Sequence, residues 1–214
     1  MTTLLEPTAE NVERAAAVIR DGGVVVAPSD TNLALTLDPT QSQAVERAYA
    51  IKDRPPHKPL TLFVRDPDDW RRYATHRTPS LVEKVVDAFW PGPVNVVLPA
   101  TDAVPHQRCM RDGTVSIGCL SNPVWRDLAA TVDGALAMTS ANESGTVDDA
   151  RLVDVDLAAD HVGDDVDLLL AGEPQGTTRA STILDLSSGQ PTILRPGDVT
   201  AGDLADAGIP IGGV

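Results

Sequence analysis

AENVERAAAVIRDGGVVVAPSDT, residues 9–31, joins a helix pattern to a strand pattern through two glycines. Val12, Ala15, Ala16, Val18 and Ile19 recur at helical spacing, Thr8 stands where an N-cap belongs, and Gly22 lies just past the end. The Val-rich run from Gly23 to Pro28 is too short for a helix and is bounded by Gly and Pro. It predicts a buried strand leading into the polar loop Ser29-Asp30-Thr31. Outward from this unit, a second helix is expected from about Ser42 to Lys52, with Val45, Ala48, Tyr49 and Ile51 inward and Pro55 and Pro56 as its stop.

The alternation continues along the chain. A strand is expected at Leu60 to Val64, a helix opened by Asp66-Pro67, another at Ser80 to Phe89, and a strand near Val94 to Leu98. Proline in a first helical turn is favourable because its missing N–H had no partner there. Thr114 to Leu120 reads as a strand, Asn122-Pro123 as the cap of a helix running to about Val132, and Ala135 to Thr139 as a strand ending in Ser140-Ala141-Asn142. Late strands are expected at Val166 to Leu170, Ser181 to Leu186 and Thr192 to Leu194. Strands interleaved with helices predict an α/β fold, and the crowding of strands near the C-terminus predicts a mixed sheet. The Asp-rich connection from Val147 to Asp165 is the one candidate boundary, but too little sequence follows it for a second core. One domain over residues 1–214 is the expectation.

Composition narrows the function classes. With 31 acidic and 17 basic residues the net charge is −14, and lysine occurs only at Lys52, Lys58 and Lys84. Such a surface is hydrated and self-repelling, and salt screens the repulsion. Two readings stand, a salt-loving host or a plain acidic surface. Non-specific attraction to nucleic-acid phosphates is disfavoured, and three Trp, two Tyr and two Phe offer little for base stacking. Direct tRNA binding is therefore not expected. Cys109 and Cys119 make neither a disulfide framework nor a zinc site by count or spacing and read as reduced thiols. No apolar run approaches the ~20 residues needed to cross a bilayer, and no leader pattern opens the chain. A soluble, cytoplasmic protein with no membrane association is expected.

Four stretches carry candidate chemistry. Lys52-Asp53-Arg54-Pro55-Pro56-His57-Lys58-Pro59-Leu60 holds two of the three lysines. Its cations either complement the negative end of a helix dipole or are held by the Pro-rich loop for polyphosphate recognition. Met138 to Gly145 contains Ser140-Ala141-Asn142, readable as an ordinary Ser/Asn-stabilised turn or as a strand-end ligand site. Ser181-Thr182 opens a strand, and Arg195-Pro196-Gly197 closes one, leaving an arginine either at the surface or aimed by a fixed backbone. No Walker or Rossmann glycine loop is present, and no His or Cys pair has metal spacing. His57, His76, His106 and His161 fall in loops and read as solvated.

Together and in this order, these pieces resemble the YrdC/TsaC family of threonylcarbamoyl-AMP synthases. The signature of that family, Lys-x-Arg followed far downstream by Ser-x-Asn, corresponds to Lys52, Arg54, Ser140 and Asn142. Pro28-Ser29-Asp30-Thr31, Lys58-Pro59-Leu60, Trp90-Pro91-Gly92-Pro93, Ser181-Thr182 and Ile193-Leu194-Arg195-Pro196-Gly197 extend the likeness over roughly Val12 to Gly197. The resemblance implies a YrdC-like twisted mixed sheet with flanking helices around a concave ligand cavity. It also implies a nucleotidyltransferase that uses ATP, L-threonine and bicarbonate and supplies downstream tRNA-modifying proteins. By resemblance, Lys52 and Arg54 are catalytic, and Lys52, Arg54, Asn142 and Arg195 bind ATP. Thr31, Lys58, Ser140 and Ser181 contact substrate, and magnesium bridges phosphate oxygens with no protein metal site.

The chain departs from the family pattern at three places. After Thr31 it reads Asn32-Leu33-Ala34-Leu35 where the family has Tyr-Gly. Gly118-Cys119-Leu120 replaces an arginine, an apolar residue and a proline, so a cation is lost, with Arg108, Arg111 and Arg179 as candidates to replace it. The chain also ends soon after Gly197, so the C-terminal domain of longer relatives is not expected. The alternative expectation is a divergent paralogue that binds nucleotide or RNA without this activity.

Overall fold

The computed structural model of the chain describes residues 4–147, 151–172, 176–188 and 190–211. In chain order the elements are β1 (Leu4–Leu5), α1 (Ala9–Arg20), β2 (Val25–Pro28), β3 (Leu33–Leu37), α2 (Ser42–Ile51), β4 (Thr61–Phe63), α3 (Trp70–Tyr73), α4 (Pro79–Phe89) and β5 (Gly92–Pro99). There follow β6 (Met110–Arg111), β7 (Thr114–Cys119), α5 (Pro123–Thr131), β8 (Leu136–Ser140), α6 (Val155–Val162), β9 (Leu168–Leu170), β10 (Thr182–Asp185), β11 (Thr192–Arg195) and α7 (Ala201–Asp206). The strands form one mixed sheet, ordered β1-β9-β2-β3-β8-β4-β7-β5-β10-β11, with β6 paired to β7 off this path. Parallel pairs (β1/β9, β2/β9, β4/β7, β5/β10) and antiparallel pairs (β2/β3, β3/β8, β4/β8, β5/β7, β10/β11) are interspersed across it. The expected mixed α/β sheet is the one found.

The two faces of this sheet differ, and the difference creates the site. Side chains alternate between faces along a strand. On one face Val26, Leu35, Leu62, Ala137, Ile117, Val96 and Leu184 join a continuous core with residues of α2 and α4. On the other, Val25, Ala27, Ala34, Phe63, Leu136 and Met138 pack beneath α1 and α5, through Ala15, Ile19, Trp125 and Leu128. Those two helices pack together and on β2 and β9, at one end of the sheet. Beyond Phe63 the same face carries Thr61, Ser116, Asn95, Val97 and Ile183, which line a cavity instead of a core.

Local signals in the sequence set most boundaries. Thr8 caps α1 by accepting from the Asn11 N–H, and Gly22 follows the helix at φ 85°. Asn122 caps α5 by accepting from the N–H groups of Val124 and Trp125. Helix α2 ends earlier than its prolines demand, because Asp53 turns the chain at φ 47° and Lys52 is already the C-cap. Ile51, expected inward, is half-buried. Asp66-Pro67 opens a 3-10 turn, which runs into the short α3.

Five elements were not expected, the first of them β1, a two-residue strand paired with β9. β3 was hidden because Leu33-Ala34-Leu35-Thr36-Leu37 is buried on both faces and so does not alternate apolar with polar. The Asp-rich connection contains α6, with Asp154 accepting from the Leu157 N–H and Ala158 and Val162 buried. Asp148, Asp149 and Ala150 of that connection lie outside the described residues. β6 is a two-residue strand, and α7 starts at a capping box between Thr200 and Asp203. No helix among the described residues is long and apolar enough to cross a membrane.

Candidate functional site

A cavity of about 1140 Å³ lies across the uncovered sheet face. Its lining includes all eight residues singled out from the sequence: Thr31, Lys52, Arg54, Lys58, Ser140, Asn142, Ser181 and Arg195. The cavity extends over the strands themselves, rather than lying only outside their carboxyl ends as the general α/β rule suggested.

Lys52 joins the two halves of the Lys-x-Arg and Ser-x-Asn pattern. Its side chain is 1% exposed, and its Nζ donates to the backbone carbonyls of Ser140 and Asn142 and, at 3.4 Å, to Asn142 Oδ1. The Lys52 carbonyl in turn accepts from the Ser144 N–H at 2.8 Å. The end of α2 and the turn after β8 are thereby locked together. Burial, then the charges of Arg54 and Lys58, push the Lys52 ammonium down to about 7. The three acceptors oppose that push, because only the protonated form offers three N–H donors.

Arg54 is aimed by its own loop. Nε donates to the Lys58 carbonyl at 3.0 Å, Nη2 to the Pro59 carbonyl at 2.7 Å, and Nη1 to Thr139 Oγ1 at 3.0 Å. Burial lowers its pKa, yet a guanidinium stays charged at any ordinary pH. Asp53, between Lys52 and Arg54, is exposed, so its left-handed turn leaves both cations on the cavity wall. The helix-dipole reading of this cluster is too small a role for a lysine whose head group is bound to another strand's turn.

Ser140-Ala141-Asn142 is both a stabilised turn and a cavity wall. Ser140 Oγ donates to Asn142 Oδ1 at 2.6 Å, and Asn142 Nδ2 donates to the Glu143 carbonyl at 2.7 Å. Thr31 is 3% exposed, and its Oγ1 accepts from Asn32 Nδ2 at 3.3 Å. The loop around it is braced by Asp30, whose carboxylate accepts from the N–H groups of Ser121 (2.9 and 3.0 Å) and Asn122 (2.6 Å). Burial raises the pKa of that carboxyl while these N–H groups lower it. Lys58 is exposed at the rim.

Arg195 reaches the cavity through an irregularity of pairing. Ile183 pairs with Arg195 but Leu184 with Ile193, so Leu194 is an extra residue in β11. A bulge of this kind re-aims the side chains around it. Arg195 Nε and Nη2 then donate to the Ser181 carbonyl at 3.0 and 2.9 Å. Gly197 is required next to this fork, since a Cβ there would lie 2.5 Å from the Ala180 carbonyl and 2.6 Å from the Thr182 nitrogen.

The departures from the family pattern at Asn32 and at Gly118 have structural counterparts. Asn32 Oδ1 accepts from the Val153 N–H at 2.7 Å, and the Leu33 N–H donates to the Val153 carbonyl at 2.8 Å. The segment before α6 is thus tied to the start of β3. At Gly118 the space an arginine would need is taken, because a Cβ would meet Asn95 Oδ1 at 2.5 Å and the Phe63 ring at 2.6 Å. Of the arginines considered as replacements, only Arg111 lines the cavity. Arg108 instead pairs with Glu46 (3.0 and 2.9 Å) over the Tyr49 ring, and Arg179 is exposed outside the lining. Arg151, not singled out from the sequence, lines the cavity as well, a position that no local motif marks.

Several groups outside the cavity also have defined roles. Three histidines bond protein groups rather than only solvent: His76 contacts the Leu186 carbonyl, His106 accepts from the Arg108 N–H, and His161 accepts from the Glu143 N–H. Both cysteines are free and buried, and burial raises Cys109 to about 12 and Cys119 to about 11, so neither is a poised nucleophile.

Comparison with known proteins follows the same ordered residues. The chain is 33% identical over 178 residues to the threonylcarbamoyl-AMP synthase of Halorhodospira halophila, covering 83% of this chain and 91% of that protein. It is 30% identical over 197 residues to that of Pseudomonas putida, covering 87% and 97%. The crystal structure of Pyrococcus abyssi Sua5 complexed with L-threonine matches with a TM-score of 0.85 at 26% identity. That match covers 96% of this chain and 60% of Sua5, so this chain spans about three fifths of the longer protein. The family Sua5/YciO/YrdC, described as telomere recombination, matches residues 17–197, and the chain belongs to it.

Proposed function

We propose that the chain is a threonylcarbamoyl-AMP synthase. The amine of L-threonine and bicarbonate condense to a carbamate with loss of water. A carbamate oxygen then attacks the α-phosphorus of ATP, the bond to pyrophosphate breaks, and threonylcarbamoyl-AMP and pyrophosphate result. The product supplies proteins that modify tRNA. The observation that carries this reading is the convergence of Lys52, Arg54, Asn142 and Arg195 on one cavity. At about 1140 Å³ it exceeds the ~300–1,000 Å³ of sites for one small ligand, leaving room for a nucleotide beside an amino acid.

The chemistry asks the protein for positioning and charge neutralisation rather than for a nucleophile. Lys52, Arg54 and Arg195 neutralise phosphate oxygens, and Asn142 holds the nucleotide. Thr31, Lys58, Ser140 and Ser181 contact the amino-acid and bicarbonate end. Among the described residues no group of three or more His, Cys, Asp or Glu side chains is arranged for a metal. The donor set therefore suits a magnesium ion carried by the phosphates, where it would withdraw charge from the leaving pyrophosphate.

The test is pyrophosphate release by purified protein given ATP, labelled bicarbonate and threonine, at low and at high salt. Threonine-dependent release with label in the product is expected, and its absence at both salts sinks the reading. One observation favours a second reading, a paralogue with a different small substrate: Phe63 and Asn95 fill the space beside Gly118 where the family pattern has an arginine. Nucleotide binding without threonine-dependent turnover would select it.

A further inference from the structure

Asn95 and Ser144 are the cavity-lining side chains whose buried oxygens have no hydrogen-bond partner among the described residues, and of the two only Asn95 lies on a strand of the cavity floor. Asn95 sits in the middle of β5, 5% exposed, between Gly118 on β7 and Ile183 on β10. Its neighbours on the core face, Val94 and Val96, are fully buried and apolar. An unpaired buried acceptor costs about 1–3 kcal/mol, so a valine-like residue here would be the more stable choice for a sheet. The χ2 torsion of asparagine is broad, which lets the carboxamide turn its oxygen toward the cavity without leaving its χ1 well.

We propose that Asn95 determines specificity at the cavity floor by accepting a hydrogen bond from a hydroxyl group of a bound substrate. This rests on the synthase reading above and assigns a residue to it. The surroundings select the donor. Phe63, Val97 and Ile183 make the adjacent wall apolar, and Gly118 brings no charge. The neighbouring carboxylate, Asp185, stands opposite Val97 rather than Asn95, and its Oδ1 accepts from the Ser187 N–H at 2.7 Å. The Asn95 oxygen carries no charge with which to hold an ammonium, whereas a neutral hydroxyl needs only one acceptor. Gly118 serves the same arrangement, since any side chain there would displace the Asn95 oxygen. The hydroxyl can belong to the amino acid or to the ribose of the nucleotide.

The experiment is calorimetric titration of wild type and Asn95→Leu with five probes: L-threonine, L-2-aminobutyrate, ATP, 2′-deoxy-ATP and 3′-deoxy-ATP. Leucine nearly preserves shape and removes the acceptor, so the melting temperature is expected to hold or rise. If the amino-acid hydroxyl is read, Asn95→Leu weakens threonine binding roughly 10-fold and leaves 2-aminobutyrate unchanged. If the ribose hydroxyl is read, ATP weakens by a similar factor and one deoxy-ATP does not. Unchanged binding of every probe, or equal losses with and without the hydroxyl, overturns the proposal while leaving the synthase reading intact. Wild-type protein that binds neither ATP nor threonine overturns both. Should Asn95→Leu fail to fold, Asn95→Ala carries the same comparison.

Discussion

At the scale of single residues, the buried ammonium of Lys52 has a defined consequence for pH. Its folded pKa is depressed to about 7, while the unfolded chain titrates at the ordinary lysine value of 10.5. Between those values the unfolded state holds more protons, so this group makes the fold more stable as pH rises from about 7 and its full penalty is present below. Phosphate binding has the opposite sign, because it needs the charged form. ATP affinity should be at its plateau below about pH 7 and weaken above it, and Lys52→Met should lower the plateau and flatten the profile. Titration calorimetry from pH 6 to 9 checks this, and an unbent wild-type profile would mean the three acceptors keep the ammonium charged throughout. A second comparison separates cavity from surface. Arg54→Ala should weaken ATP by roughly 10-fold or more, the scale of one charge-assisted hydrogen bond. Arg108→Ala should change it by less than about 2-fold, since its pair with Glu46 is at the surface.

At the scale of elements, short irregularities rather than long helices place the functional groups. The extra residue in β11 turns Arg195 to the cavity, and the left-handed Asp53 does the same for Lys52 and Arg54. Helix α6 acts through the loops it steadies: His161 accepts from the Glu143 N–H, next to Asn142. Removing its cap with Asp154→Ala should cost about 1 kcal/mol of stability, measured by urea unfolding. Strand β7 tolerates even less. Gly118→Ala places a methyl 2.5–2.6 Å from Asn95 and Phe63, and the overpacking should lower stability by about 1–3 kcal/mol. A neutral or stabilising Gly118→Ala would show that this wall is loosely packed.

At the scale of the whole molecule, charge and site pull in opposite directions. The net charge is −14, yet the cavity gathers Lys52, Arg54, Lys58, Arg111, Arg151 and Arg195. Salt screens both fields. Raising KCl from about 0.1 to 2 M should therefore raise the melting temperature by relieving surface repulsion, and weaken ATP by screening the cavity. A melting temperature that falls with salt would show that local ion pairs outweigh the general repulsion. The same net charge opposes a broad nucleic-acid footprint, so tRNA retention on a filter at low salt is expected to be undetectable.

The sequence by itself determined the alternation of helix and strand, most helix starts, and most of the cations and amides that line the cavity. Those signals are local: Thr8 and Asn122 cap helices through bonds within three residues, and the Lys52 and Asn142 motifs read directly along the chain. It concealed β3 and α6, because a strand buried on both faces lacks alternation and an acidic helix resembles a loop until its small apolar face is packed. Only the tertiary structure decided that α1 and α5 cover one end of a sheet face and leave the rest as a cavity, that Lys52 bridges to Ser140 and Asn142, and that Asn95 and Phe63 occupy the space beside Gly118. Each of these pairs residues far apart in the chain, and no local propensity encodes which strand will lie beside which.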